Sequence, residues 1–146
     1  MIDCMYPDIY LHDSVIEKVV YNDSGNISIY FEKTNGYKVK KGSNSYRAKN
    51  ARIDMKLTEE TDIDYEMVRI VRYIPVFRTW AMPRYKEISL REFFKKINSG
   101  KIRVEIVDEY YNGDSVYYKA SMGLRKNCGF KIRCKDIKYL HDDAYD

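Results

Sequence analysis

The chain has 146 residues, of which 45% are apolar and 33% are charged. This length is typical of one domain and this composition of a globular protein, so a disordered tail and a collagen-like chain are excluded. The net charge of +4 is too mild to identify a nucleic-acid-binding protein by itself. We therefore expect a single domain over residues 1–146.

The first residues predict no targeting signal. Residues 1–8 contain no basic stretch followed by an apolar one, as a secretory signal peptide would. No stretch approaches the roughly 18 apolar residues of a membrane span. The three cysteines are an odd number, which argues against a disulfide framework. These features favour a cytoplasmic protein without a membrane partner.

The first part of the chain predicts short antiparallel strands. Residues 14–32 place β-branched and alternating segments on either side of a turn cluster, which is the pattern of a β-hairpin. Residues 37–40 predict a short strand, because they follow the tight-turn dipeptide Asn35-Gly36. Residues 42–50 are polar and predict a loop, whereas residues 52–57 alternate and predict another strand.

Residues 63–86 contain a dense run of β-branched side chains and the only tryptophan. The composition of residues 63–77 favours a strand. Pro75 predicts a bend or an edge position within it, because proline has no amide hydrogen for the sheet. Residues 78–86 predict a loop or a short strand.

Residues 89–99 predict the one helix. Ser89 is a typical N-cap, and Glu92 three residues later completes the pattern of a capping box. Gly100 stands where a left-handed residue ends a helix. Four apolar side chains have the spacing of one helical stripe: Leu90, Phe93, Phe94 and Ile97.

The last part of the chain again predicts strands. Residues 102–122 form the pattern of a second hairpin around Asn112-Gly113-Asp114, and residues 130–134 alternate. Together the elements predict an α+β fold. It would consist of a mostly antiparallel sheet of about seven strands with the amphipathic helix 89–99 packed on it.

The tetrapeptide Tyr-Leu-His-Asp occurs twice and contains both histidines, as His12-Asp13 and His141-Asp142. Imidazole and carboxylate are ligand types of metal and general-base sites, so one hypothesis is a hydrolase or metal enzyme at these units. The other interpretation is two turns at strand ends, in which each Asp side chain caps local amides. A metal needs three or four ligands, so we assign no metal.

The rest of the chain contains no catalytic signature. Cys128 and Cys134 lie six residues apart and are interpreted as small buried side chains. The sequence contains no glycine-rich phosphate loop and no nucleophile elbow. We therefore assign no catalytic residue, expect no cofactor, and do not favour an enzyme.

Charge is distributed in blocks. Residues 34–53 contain six basic side chains and no acid, and residues 69–91 contain six basic side chains and one acid. Aromatic side chains among these cations can stack on bases or anchor a protein interface. They are also compatible with a solvated sheet face. The candidate interface residues are Arg69, Arg72, Tyr73, Arg78, Trp80, Arg84 and Tyr85.

Residues 11–19 read Leu-His-Asp-Ser-Val-Ile-Glu-Lys-Val and precede an alternating segment. This motif, over residues 10–32, resembles the opening of small, largely uncharacterised bacterial proteins. Some of those look like immunity proteins of polymorphic toxin systems. The resemblance implies a cytoplasmic α+β binding protein without a cofactor.

These observations support two binding hypotheses. The first is a non-enzymatic module that binds another protein, such as an immunity-type protein that blocks a partner toxin. The second is a domain that binds single-stranded nucleic acid through its basic and aromatic surface.

Overall fold

The computed structural model describes residues 2–4 (backbone alone), 9–22, 24–34, 36–59, 61–78 and 80–142. These residues form twelve β-strands and one α-helix. In chain order the elements are β1 (Ile2–Cys4), β2 (Ile9–Tyr10), β3 (Ser14–Tyr21), β4 (Asn26–Phe31), β5 (Lys38–Lys41), β6 (Asn44–Arg47), β7 (Lys49–Leu57), β8 (Met67–Phe77), β9 (Trp80–Ser89), α1 (Leu90–Asn98), β10 (Val104–Tyr111), β11 (Ser115–Ser121) and β12 (Lys126–Asp142).

The predicted class is confirmed, because the described strands pair antiparallel and one helix accompanies them. The predicted number of about seven strands is wrong. The described residues form one sheet of nine strands and a second sheet of three, made of β2, β5 and β6.

Six strands of the larger sheet close into a ring. From β3 the pairing runs through β4, β7, β12, β11 and β10 and returns to β3. The 17-residue strand β12 closes the ring, because its first half pairs with β11 and its second half with β7. The register shifts near Asp136, whose φ is +56°, and a bulge of this kind bends a strand.

The interior of the ring holds the hydrophobic core. Alternate residues of each strand point inward, as the two-residue period of a strand requires. Ile29 lies opposite Ile53, and Val116 lies opposite Ile132; all four are fully buried or nearly so. Burying each such side chain stabilises the fold by about 1.5–3 kcal/mol. The hairpins predicted over residues 14–32 and 102–122 are confirmed as parts of this ring.

Helix α1 begins and ends close to the predicted residues. The Ser89 hydroxyl accepts a hydrogen bond from the Glu92 amide at 3.1 Å, and Gly100 has a φ of +74° just after the last turn. The Phe93 ring lies 5.0 Å from the Phe130 ring between centroids, so the apolar stripe of the helix packs on the core. With nine residues, the helix of the described chain is too short to cross a membrane.

The end of α1 is attached to β3 through a side-chain amide. Asn98 Oδ1 accepts from the Val19 amide, and Asn98 Nδ2 donates to the Val19 carbonyl, both at 2.8 Å. In the described chain β3 pairs with β10 only over residues 14–16, so the backbone of Val19 lacks a strand partner on that side. Asn98 satisfies both backbone groups, which would otherwise be costly to bury.

Strands β8 and β9 form a long hairpin beside β12. In the described chain β8 pairs with β12 only over residues 69–72, so the outer half of the hairpin continues as a two-stranded ribbon. The register shifts between Pro75 and Phe77, in agreement with the predicted bend. Of the two alternatives predicted for residues 78–86, the strand is the one observed, but it is not short: most of these residues belong to the ten-residue strand β9.

Two further predictions about loops and strand lengths are corrected. Residues 42–50 are not one loop: Gly42, with a φ of +64°, and Ser43 connect β5 to β6, and β7 begins at Lys49. The side chains of β6 are all exposed or half-buried, so the sequence contains no apolar alternation that would predict this strand. The strand predicted over residues 130–134 extends over residues 126–142.

Candidate binding surface

The outer half of the β8–β9 hairpin is exposed on both faces. Residues 72–77 are all exposed, and between residues 80 and 87 only Ala81 is half-buried. Among the large hydrophobic side chains of the hairpin, Phe77 (67%), Tyr85 (60%) and Trp80 (49%) are the most exposed. The Phe77 and Trp80 rings pair across the strands with 5.6 Å between centroids. A group of large exposed apolar side chains is typical of a contact surface.

The seven candidate interface residues all lie on this hairpin, and strand alternation divides them between two faces. We call the face that continues the solvent side of the ring the outer face. It carries Arg69, Tyr73 and Tyr85. The inner face is the opposite one, which carries the buried side chains of Val68 and Ile70. It carries Arg72, Trp80 and Arg84, while Arg78 lies in the turn.

The outer face contains a cavity of about 450 Å³ between β8, β9 and β11. The Arg69 guanidinium carbon lies 4.5 Å from the centre of the Tyr85 ring, which is a cation–π contact. The Tyr117 hydroxyl lies over Gly129, where any Cβ would clash with it. Sequence reasoning missed Tyr117 and Lys119, although the alternation of β11 places both on one face.

The inner face contains a groove of about 300 Å³ between the hairpin, α1 and residues 122–126. Five basic side chains line it, and none of its lining residues is acidic. They are Arg72, Arg84, Lys86, Lys96 and Lys126. Lys126, Arg72 and Arg84 lie directly opposite one another on three adjacent strands. Sequence reasoning missed Lys86, Lys96 and Lys126 as candidates.

Most of these cations have no acidic neighbour. Among the described residues, only Lys96 of the five forms an ion pair, with Glu92 at 3.6 Å. Like charges directly opposite in a sheet repel, so the row of Lys126, Arg72 and Arg84 works against the pairing of these strands.

The His12-Asp13 unit forms an exposed turn. Asp13 has a φ of +66°, and its Oδ1 lies 3.2 Å from His12 Nε2. His12 Nδ1 donates to the Val107 carbonyl at 3.0 Å. The turn agrees with one of the two interpretations, but the Asp13 carboxylate contacts the imidazole and not a local amide.

The His141-Asp142 unit lies within strand β12, so its interpretation as a turn is wrong. The His141 side chain is fully buried, with the rings of Tyr37 and Tyr46 at 6.0 and 6.2 Å between centroids. This imidazole therefore lies out of reach of solvent, whereas His12 is exposed. In the part of the chain that the structure describes, no group of three or more His, Cys, Asp or Glu is placed to hold a metal ion.

A largely buried carboxyl lies near the core. Tyr139 donates a hydrogen bond to Glu109 Oε1 at 2.8 Å, and burial raises the pKa of Glu109 above its ordinary value of 4.5. Burial, together with the charge of Glu109, also raises the pKa of Tyr118. Burial raises the pKa of Cys128 and of Cys134 to about 12, so both thiols stay protonated. Both cysteines are buried and free, as the sequence predicted.

No protein-family model, curated protein or solved structure matches this chain. The case for a function therefore depends on the geometry of the hairpin and its two faces.

Proposed function

We propose that the protein is a non-enzymatic binding module that contacts another protein through the outer half of the β8–β9 hairpin. The observation that carries this proposal is the exposed ring pair of Phe77 and Trp80 at the outer end of the hairpin. An isolated two-stranded hairpin is only marginally stable in water, so covering these rings with a partner would stabilise it.

The residue types of the hairpin are those that dominate protein interfaces. Tryptophan, tyrosine and arginine are enriched among the residues whose truncation weakens a complex strongly. Arg69 already rests on the Tyr85 ring, so binding would cost less side-chain entropy there than for two unrestrained side chains. Tyr73 extends this surface toward the outer end of the hairpin.

The resemblance of residues 10–32 to immunity-type proteins supports a toxin as the partner. In that case the protein would act by covering a surface of the toxin, which needs a rigid scaffold and no catalytic group. The closed ring supplies such a scaffold, since residues 14–31 form two of its strands.

The proposal is tested by capture of the partner from a lysate of the organism that encodes the protein. The wild-type chain, the double variant Phe77→Ala/Trp80→Ala and the control Tyr10→Ala/Tyr65→Ala would be immobilised in parallel. The control removes two aromatic rings of similar exposure, 49% and 82%, from other parts of the surface.

We expect the wild-type and control proteins to retain one protein in stoichiometric amount, and the hairpin variant to lose it. Thermal unfolding of all three should be similar, because none of the four side chains is buried. Equal capture by the hairpin variant, or no partner in repeated captures, would contradict the proposal.

A further inference from the structure

We propose that the groove on the inner face binds the sugar–phosphate backbone of single-stranded nucleic acid. This goes beyond the proposed function, because it concerns a different class of ligand and the groove beside α1, not the ring pair of Phe77 and Trp80 at the outer end of the hairpin. The groove is lined by the five basic residues Arg72, Arg84, Lys86, Lys96 and Lys126 and by no acidic residue.

The arrangement of the cations points to an extended anion. Lys126, Arg72 and Arg84 form one row across three strands, which is about 10 Å long at the usual strand spacing. Lys86 lies two residues along β9 from Arg84, and Lys96 approaches from α1. A line of cations of this length matches successive phosphates better than a single small anion.

The repulsion within the row also argues for a ligand. Three cations directly opposite one another destabilise the pairing of their strands, and in the described chain no carboxylate pairs with any of the three. A bound polyanion would remove this repulsion. A purely structural role would be filled better by uncharged side chains.

The remaining lining favours nucleic acid over an acidic protein segment. Ile102 and Met122 line the groove with apolar surface beside the cations. Single-stranded nucleic acid combines phosphates with flat aromatic bases, which stack on arginine guanidinium planes such as those of Arg72 and Arg84. A run of Asp and Glu residues offers carboxylates but no flat aromatic rings.

The test measures binding of a fluorescein-labelled oligodeoxythymidylate of about 15 nucleotides by fluorescence anisotropy. The wild-type protein would be compared with Arg72→Gln/Arg84→Gln and with the control Lys40→Gln/Lys41→Gln. Both variants lose two positive charges, but the control removes exposed lysines of β5, in the other sheet. The groove variant should unfold at the same temperature as wild type or higher, since it loses like-charge repulsion.

We expect the groove variant to bind at least about tenfold more weakly at about 50 mM salt, and the control less than threefold. Each phosphate neutralised contributes about 0.7 to the slope of log affinity against log salt, so the groove variant should lose about 1.4 of that slope. Absence of binding by the wild type, or equal weakening in both variants, would overturn the proposal.

A competition with polyglutamate separates the two classes of ligand. Unlabelled oligonucleotide should displace the probe, whereas polyglutamate at the same charge concentration should not. Equal displacement would overturn the assignment to nucleic acid and indicate an acidic protein segment. Partner capture by the Phe77→Ala/Trp80→Ala variant is a separate measurement, so failure of this inference and failure of the proposed function are distinguishable.

Discussion

The closed ring and the β8–β9 hairpin both consist of antiparallel strands, but they differ in how far their apolar side chains are buried. In the ring, inward-facing residues such as Ile132 are fully buried, and α1 adds Phe93 to the same core. On the hairpin, Phe77 and Trp80 keep about half or more of their surface exposed. The hydrophobic core is therefore complete without the outer half of the hairpin, whose exposed side chains remain available for contact.

Replacing one phenylalanine in each region should change the stability of the protein by very different amounts. Phe130→Ala removes a ring that contacts Phe93 and Tyr118 inside the ring of strands, and should lower the free energy of unfolding by about 3–5 kcal/mol. The matched change Phe77→Ala removes the same atoms from the exposed tip and should alter it by about 0.5 kcal/mol or less. Urea unfolding of both variants makes the measurement, and similar losses would show that the hairpin belongs to the core.

A second change concerns the Glu109 carboxyl, which accepts a hydrogen bond from the buried Tyr139. The pKa of Glu109 is raised by burial, so the folded state holds a proton that the unfolded state has lost above about pH 4.5. Wild-type stability should therefore fall as the pH rises from 4.5 through the pKa of Glu109 in the folded protein. Glu109→Gln should show no such decrease in stability, because a glutamine side chain does not titrate.

The measurement is the free energy of unfolding of Glu109→Gln, of wild type and of the exposed control Glu17→Gln over a pH series. The free energy of unfolding of Glu109→Gln, minus that of wild type, should increase as the pH rises above 4.5 and then stay constant. The free energy of unfolding of the control should change with pH as that of wild type does. If this difference in free energy were the same at every pH, the folded protein would not disfavour the charged form of the Glu109 carboxyl.

Local signals in the sequence predicted the parts of the fold that local physics determines. Ser89 and Gly100 mark the ends of α1, because capping depends on the residues beside the cap. The alternation of Ile27, Ile29 and Phe31 predicted β4, because one face of that strand is buried and the other is not. Such strands carry their burial pattern in the sequence.

Strand β9 shows why other parts could not be predicted. Its outer residues, from Trp80 to Lys86, are exposed or half-buried on both faces, so no alternation marks them as a strand. The long strand β12 changes partner from β11 to β7 near Asp136, and no local pattern encodes a partner that is distant in sequence.

The candidate surface was also predicted in part. The basic block of residues 69–91 pointed to Arg72 and Arg84 because they are close in sequence. Lys96 of α1 and Lys126 of β12 join them in the groove only through packing and strand pairing. These two lysines lie outside the basic block, among residues of mixed type, so the sequence did not mark them as binding candidates.

Hydrogen exchange of the backbone amides compares the local stability of the ring with that of the outer half of the hairpin. We predict that amides of β10, β11 and the first half of β12 exchange only through openings close to global unfolding, whereas the amides of the non-proline residues in 73–77 and 80–84 exchange much earlier. Equal protection in both regions would contradict the account, since it would show that the hairpin is held as firmly as the ring and is not a surface left free for a partner.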